Sequence, residues 1–456
     1  MMSPLKSAGR TASEKYLARL CEKSFLRLWS YANLYRDQGQ RGKGDGKELC
    51  DLLVLFGSDI IIFSDKSCHL TESGDDFVDW RRWFRRAIQK SANQAFGAEK
   101  WIREHPNRIY LDPACTQPFP LRFPSPDQCR IHRVVVARNA SRRSREFFGR
   151  TGSGSLMLNS GVVCEGHLAR PFTIGLIAPT KGYVHVLDDS TLDVILGELD
   201  TITDFTAYLT KKESLIMSNR LVIAAGEEEL LAYYLTHGEN GEHDFIFDEH
   251  TDAIWFDENS WVTTKTDARY VAKKNADRVS YLWDMLIETY HQHFLDGTLL
   301  EGSNLVITDH EIGLRIMASE PRLSRRHLVQ ALGDVMERAP PGKAMARTVM
   351  SRDRSGVAYV FLIVPPDDGT HDEYRKLRRS MLWAYCLVAR LHNPKLKYVV
   401  GIGAEPMNEP EHSYDLLCFD TSHWAPALEA EAQRLHDQGI LRRPTLTHHR
   451  TLEYPE

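Results

Sequence analysis

The chain has 456 residues, 42% of them hydrophobic, and 57 Lys and Arg against 62 Asp and Glu, for a formal net charge of −5. That length and apolar content are enough for two or three domains with sizeable cores, and the near-neutral balance excludes a uniformly basic coat for nucleic acid. No apolar run reaches the roughly 20 residues that cross a bilayer, and the opening MMSPLKSAGR lacks the apolar segment of a secretory signal, so a cytoplasmic protein without a membrane partner is expected.

The first predicted element is a helix within Thr11 to Asp37, with Ser13 as N-cap and Leu17, Leu20, Cys21, Leu26 and Trp29 on its inner face. Two strands follow, Leu52 to Phe56 and Ile60 to Phe63, short, apolar and separated by Gly57-Ser58. Asp76 to Arg103 reads as a long helix in which Arg81, Arg82, Arg85, Arg86 and Lys90 alternate with Trp80 and Trp83. Arg108 to Leu111 and Ile131 to Ala137 read as further strands. A second basic stretch, with Arg142, Arg143 and Arg145, comes after them. Arg150 to Ser155, RTGSGS, lacks the lysine and spacing of a phosphate-cradling Walker loop. A strand at Tyr183 to Leu187 and a helix at Thr191 to Leu209 complete a first domain, with its boundary expected near residue 215.

The composition then changes. Leu221 to Thr264 holds eleven acids and no Lys or Arg, and is read as part of an acidic linker and helical segment over 216–300. From 301 to 456 the alternation of helix and strand, with Asp372 to Leu391 between Val357 to Val364 and Lys397 to Ile402, predicts a second α/β domain. Its clusters Arg322 to Arg326 and Tyr374 to Arg379 are candidate contacts for a nucleic-acid backbone or a partner protein. The eight cysteines are scattered and form no CxxC pair, which reads as reduced thiols.

The hairpin carries the chemistry. A two-residue turn at Gly57-Ser58 sets Phe56 opposite Asp59 and therefore Asp51 opposite Ser64. Side chains alternate along a strand, so Asp51, Ser64 and Lys66 share one face of the sheet. A carboxylate beside a lysine at strand ends is the donor set that would bind a divalent cation and a phosphate together.

These residues resemble the motif of the PD-(D/E)xK nuclease superfamily, over roughly the first 110 residues. Asp51 matches the first acid and Lys66 the lysine, while Ser64 stands where the second acid is expected. The resemblance implies a restriction-endonuclease-like mixed sheet flanked by helices over 1–215. It also implies Mg²⁺ or Mn²⁺ held by Asp51 with Glu48, Asp65 or Glu22, and phosphodiester hydrolysis of DNA with Lys66 and Gln94 at the phosphate. Asp65 would serve if a bulge or a three-residue turn shifted the register by one residue. The basic side chains Arg81, Arg82, Arg85, Arg86, Lys90, Arg142, Arg143 and Arg145 are then the expected grip on the duplex. By analogy the setting is bacterial defence or repair, with any ATPase or targeting function supplied by a protein partner. The alternative reading is a nuclease fold without catalysis, acting as a nucleic-acid-binding or protein-interaction module.

Overall fold

The computed structural model describes residues 6–38, 45–150, 154–239, 242–296, 307–366, 368–409, 413–442 and 451–455. The chain is mixed α/β and divides into two units, Met1–Val271 with Val306–Thr308, and Ala272–Leu305 with Asp309–Glu456.

The first unit opens with α1 (Ala12–Phe25), whose N-cap is Thr11, closed by a capping box with Glu14. The helix is shorter than the sequence pattern suggested. Leu26 turns the chain at φ +67°, and the aromatic-rich Ser30–Arg36 becomes β1. Next come β2 (Lys47–Phe56) and β3 (Asp59–Ser67), antiparallel, with Phe56 opposite Asp59 as the two-residue turn predicts. Gly57 adopts φ +60° at the first turn position, the region in which glycine avoids the steric cost borne by other residues.

The predicted long helix is present as α2 (Asp76–Phe84), a π-helical turn Arg85–Gln89 and α3 (Lys90–Glu104). Its aromatic and basic residues separate by face. Trp80 and Trp83 are fully buried and stacked at 5.3 Å, whereas Arg81, Arg82, Arg85, Arg86 and Lys90 face solvent. Burying such indoles contributes roughly 2–3 kcal/mol each, which fixes which side of the helix turns outward.

Then follow β4 (Ile109–Tyr110), β5 (Arg130–Arg138), α4 (Ser141–Phe148), β6 (Met157–Val163), β7 (Thr173–Leu176) and β8 (His185–Asp188). The main sheet has strand order β4-β1-β2-β3-β5-β8, antiparallel from β4 to β3 and parallel from β3 to β8. On one face Val135 packs with Ile88 and Ala92 of the long helix. On the other, α1 and a helix pair, α5 (Thr191–Glu198) and α6 (Ile202–Ile216), bring Phe205 against Phe25 and Phe63.

The expected boundary near 215 falls inside this unit. Leu221–Ala224 (β9) and Ala253–Phe256 (β12) join β6 and β7 in a second sheet of order β12-β9-β6-β7, and a short ribbon pairs β10 (Gly238–Glu239) with β11 (Glu242–His243). The acidic run is correspondingly not an exposed linker. Glu227, Glu228 and Glu229, in the first turn of α7 (Glu227–Thr236), are buried and engaged. Glu227 accepts from Lys212 and from the Tyr208 hydroxyl, Glu228 from Ser155, and Glu229 from the backbone of Asn259 and Trp261 at the start of α8 (Ser260–Thr266). Helix α9 (Ala268–Asp277) carries the division between the units.

In the second unit, α10 (Tyr281–Leu295), α11 (Ile307–Ala318) and α12 (Arg322–Arg338) precede β13 (Met345–Met350) and β14 (Val357–Ile363). Helix α13 (His371–His392) crosses from β14 to its parallel neighbour β15 (Tyr398–Ala404), the predicted strand-helix-strand connection. Antiparallel β16 (Asp415–Asp420) and α14 (Pro426–Asp437) follow, and the sheet order is β13-β14-β15-β16.

The arginines of its two basic clusters are engaged within the unit, which corrects the expectation of surface contacts for them, while Lys376 stays exposed. Arg322 and Arg325 bind Asp284 at 2.9 and 2.5 Å, and Arg326 binds Asp277 at 3.0 Å. Arg375, Arg378 and Arg379 converge on Asp415 at 2.6, 2.8 and 2.9 Å, and Arg378 also reaches Glu405 at 2.6 Å. They are core ion networks.

Candidate functional site

The end of the hairpin builds a polar cluster on the face of the main sheet covered by α3. Asp51 on β2 and Ser64 on β3 meet across the strand pair, the Ser64 hydroxyl donating to Asp51 Oδ2 at 3.2 Å. The backbone N–H of Asp65 donates to the same oxygen at 2.7 Å, and Lys66 Nζ lies 3.4 Å from it. From above, Gln94 on α3 brings its Oε1 within 3.3 Å of the Ser64 hydroxyl. Asp51, Ser64, Lys66 and Gln94 are therefore brought together, as the register argument required.

The electrostatics are uneven. Asp51 is 2% exposed, and burial pushes its carboxyl up to about 6, against the opposing pull of Lys66 and the Asp65 N–H. Lys66 keeps about a third of its side chain in solvent, so its ammonium joins the buried carboxylate to the surface.

Of the other expected ligands, Asp65 and Glu22 have partners elsewhere, while the charge of Glu48 helps to raise the Asp51 carboxyl. Asp65 alternates to the opposite face, where Arg138 Nε donates to its Oδ1 at 2.9 Å; the register has no bulge at this point that would return it to Asp51. Glu22 lies 3.9 Å from Arg27. Glu48 accepts from Asn33 Nδ2 at 3.3 Å, and the same amide donates to Glu14 at 2.9 Å. Asn33 sits mid-strand at φ +50°, beside an irregularity in the β1–β2 register. Sequence reasoning gave no sign of it or of Glu14.

A Mg²⁺ ion takes hard oxygen ligands and keeps several waters, its protein share being one or two carboxylates. Here one carboxylate is present, its Oδ2 already receives three donors, and one of these is a cation. Among the described residues no group of three or more converging His, Cys, Asp or Glu ligand atoms includes Asp51, although the charges of Glu48 and Glu14 help to raise its carboxyl.

The basic residues divide into two sets. Arg81 Nε donates to the Leu168 carbonyl and Arg86 to the carbonyls of Arg82 and His69, contacts that leave their positive charge uncompensated. With Arg82, Arg85 and Lys90 they form an exposed cationic stripe along α2, the π turn and the start of α3, and Lys90 stands one turn before Gln94. The α4 set is different: Arg142 pairs with Glu72 and Glu146, Arg143 with Asp76, and Arg145 packs beside Gly154. Arg142 and Arg143 therefore have acids that offset their charge.

No family model, no curated protein and no solved structure matches this chain. What fold and site define is a mixed α/β protein with a buried carboxylate, a lysine, a serine and a glutamine at the end of a hairpin beneath an arginine-rich helix. No helix among the described residues is long and apolar enough to cross a membrane.

Proposed function

We propose that the first unit is a restriction-endonuclease-like module that binds nucleic acid, DNA in the first instance, and does not hydrolyse it. The observation that carries the reading is the cluster itself: Lys66, Ser64 and Gln94 gather at Asp51, and a serine stands where the motif has its second acid. A phosphate oxygen is the natural guest for an ammonium about a third exposed beside a hydroxyl and an amide. The stripe Arg81, Arg82, Arg85, Arg86 and Lys90 on the same continuous helix supplies the sequence-independent grip. The burial that raises the Asp51 carboxyl to about 6 is consistent with this reading, since perturbed carboxylates cluster at functional sites.

A second reading, a metal-dependent phosphodiesterase, is favoured by one observation, the meeting of Asp51 and Lys66 at 3.4 Å.

Fluorescence anisotropy with labelled duplex and single-stranded DNA and RNA, across a salt series, tests the proposal. Arg82→Ala, Arg85→Ala and Lys90→Ala combined should weaken binding at every sequence tested and lower the magnitude of the log–log salt slope by about 2 to 3. An unchanged slope would remove these residues from the interface.

A further inference from the structure

A second site lies on the other face of the main sheet, near the opposite end of β3. His132 on β5 and His185 on β8 leave the same face, because His132 is two residues before Val134, the register partner of His185. Helix α6 covers them and contributes Glu213. One ligand atom from each of the three residues lies within 4.8 Å of the other two. From Asp59, beside His132, to Lys66 at the first site is about 20 Å along β3.

Both imidazoles are deeply buried, His132 at 4% exposure and His185 at 0%, and none of their four ring nitrogens has a hydrogen-bond partner. Buried polar atoms in proteins are nearly always paired, and two adjacent rings left bare call for a missing ligand. A neutral imidazole offers one ring-nitrogen lone pair to a metal ion. Glu213 is fixed by accepting from the Tyr183 backbone N–H, and its Oε2 lies 4.0 Å from His185 Nε2. Asp59 Oδ1 stands 3.9 Å from His132 Nε2, beyond hydrogen-bond reach, and pairs with Arg130 Nε at 2.8 Å. The nearby cations do not block a further positive charge, since Arg133 is paired with Glu99 at 2.5 Å and Lys212 with Glu227 at 2.5 Å.

We propose that His132, His185 and Glu213 bind a divalent transition-metal ion of the zinc class, tying β5, β8 and α6 together. Two imidazoles and one carboxylate form a three-ligand set that zinc accepts, with water in the fourth position. The ligand atoms need to close by about 1 Å from their present spacing, a side-chain adjustment. The assignment does not rest on the nucleic-acid reading, and three protein ligands leave the fourth position open.

The test uses the untagged full-length protein, stripped with chelator and dialysed against Zn²⁺ alone, with stoichiometry read by elemental analysis and geometry by the visible spectrum after Co²⁺ substitution. One metal per chain is expected, with a tetrahedral Co²⁺ spectrum and a melting temperature raised by a few degrees at saturating Zn²⁺. His185→Gln and His132→Gln should each abolish this stoichiometric binding. Glu213→Gln, which keeps the oxygen facing the Tyr183 N–H, should weaken it at least tenfold with the circular dichroism unchanged. Substoichiometric binding, or a full equivalent retained in all three variants, would overturn the proposal and leave water as the partner of the two rings.

Discussion

Two arginine-rich regions of this molecule look alike in sequence and have opposite fates. Arg81, Arg82, Arg85 and Arg86 lie on the outer face of a helix whose tryptophans fill the core, while Arg322, Arg325, Arg326 and Arg378 are themselves core residues. The difference lies in acids distant in the chain. Asp284, Asp277, Asp415 and Glu405 reach the second group, whereas the contacts found for Arg81 and Arg86 are to backbone carbonyls. A buried guanidinium needs paired carboxylates to offset its desolvation, so these networks specify the second unit's fold and leave little positive charge for a ligand. The exposed stripe is free to act through charge.

Breaking the buried side of this comparison has the largest expected effect. Arg378→Ala strands Asp415 and Glu405, both buried, and should destabilise the second unit by about 3–5 kcal/mol in denaturant titration. Arg82→Ala should leave stability unchanged within error. Equal losses in the two variants would erase the distinction. Asp415 also gives a pH signature: burial raises its carboxyl, but Arg378 and Arg375 outweigh that and hold it below the usual value. The stability it contributes is complete above the unfolded pKa near 3.8 and falls as pH drops below it, so acid should expose the second unit's dependence on this pair.

Asp51 has the opposite sign. Its folded value of about 6 lies above the unfolded 3.8, so the native state binds more protons between them and stability falls as pH rises through that window. The shift of roughly two units corresponds to about 3 kcal/mol at most. Asp51→Asn should therefore raise stability at pH 7 by up to this amount and flatten the profile between about pH 4 and 6. A destabilised variant would show that Asp51 serves the fold.

The smallest effect sharpens the exposed side. Lys66→Ala removes one phosphate contact, and should lower the magnitude of the salt slope of DNA binding by about 1 while leaving the fold intact. Because Lys66 favours the charged form of Asp51, the same variant should move the Asp51 stability window to higher pH.

Much of the first site was legible because its logic is local. The turn at Gly57-Ser58 fixed the hairpin register, and alternation placed Asp51, Ser64 and Lys66 on one face and Asp65 on the other. The Trp80 and Trp83 spacing likewise told which side of the long helix is buried. The end of α1 was not legible, since only the φ of Leu26 separates a continuing helix from the strand that follows. The acids of 227–229 look like surface in a linear reading, because their partners Lys212, Tyr208, Ser155 and Trp261 come from other segments. The His132, His185 and Glu213 cluster gives no spacing signal either, each residue coming from a separate element.

The central claim is binding without hydrolysis, and one measurement addresses it directly. Plasmid, linear and single-stranded DNA are incubated with the protein in Mg²⁺ or Mn²⁺, beside Asp51→Ala and Lys66→Ala, with binding followed on the same substrates. The account predicts retarded but intact DNA in all three proteins. Cleavage by the wild type that disappears in Asp51→Ala and Lys66→Ala would contradict it and make this site a nuclease.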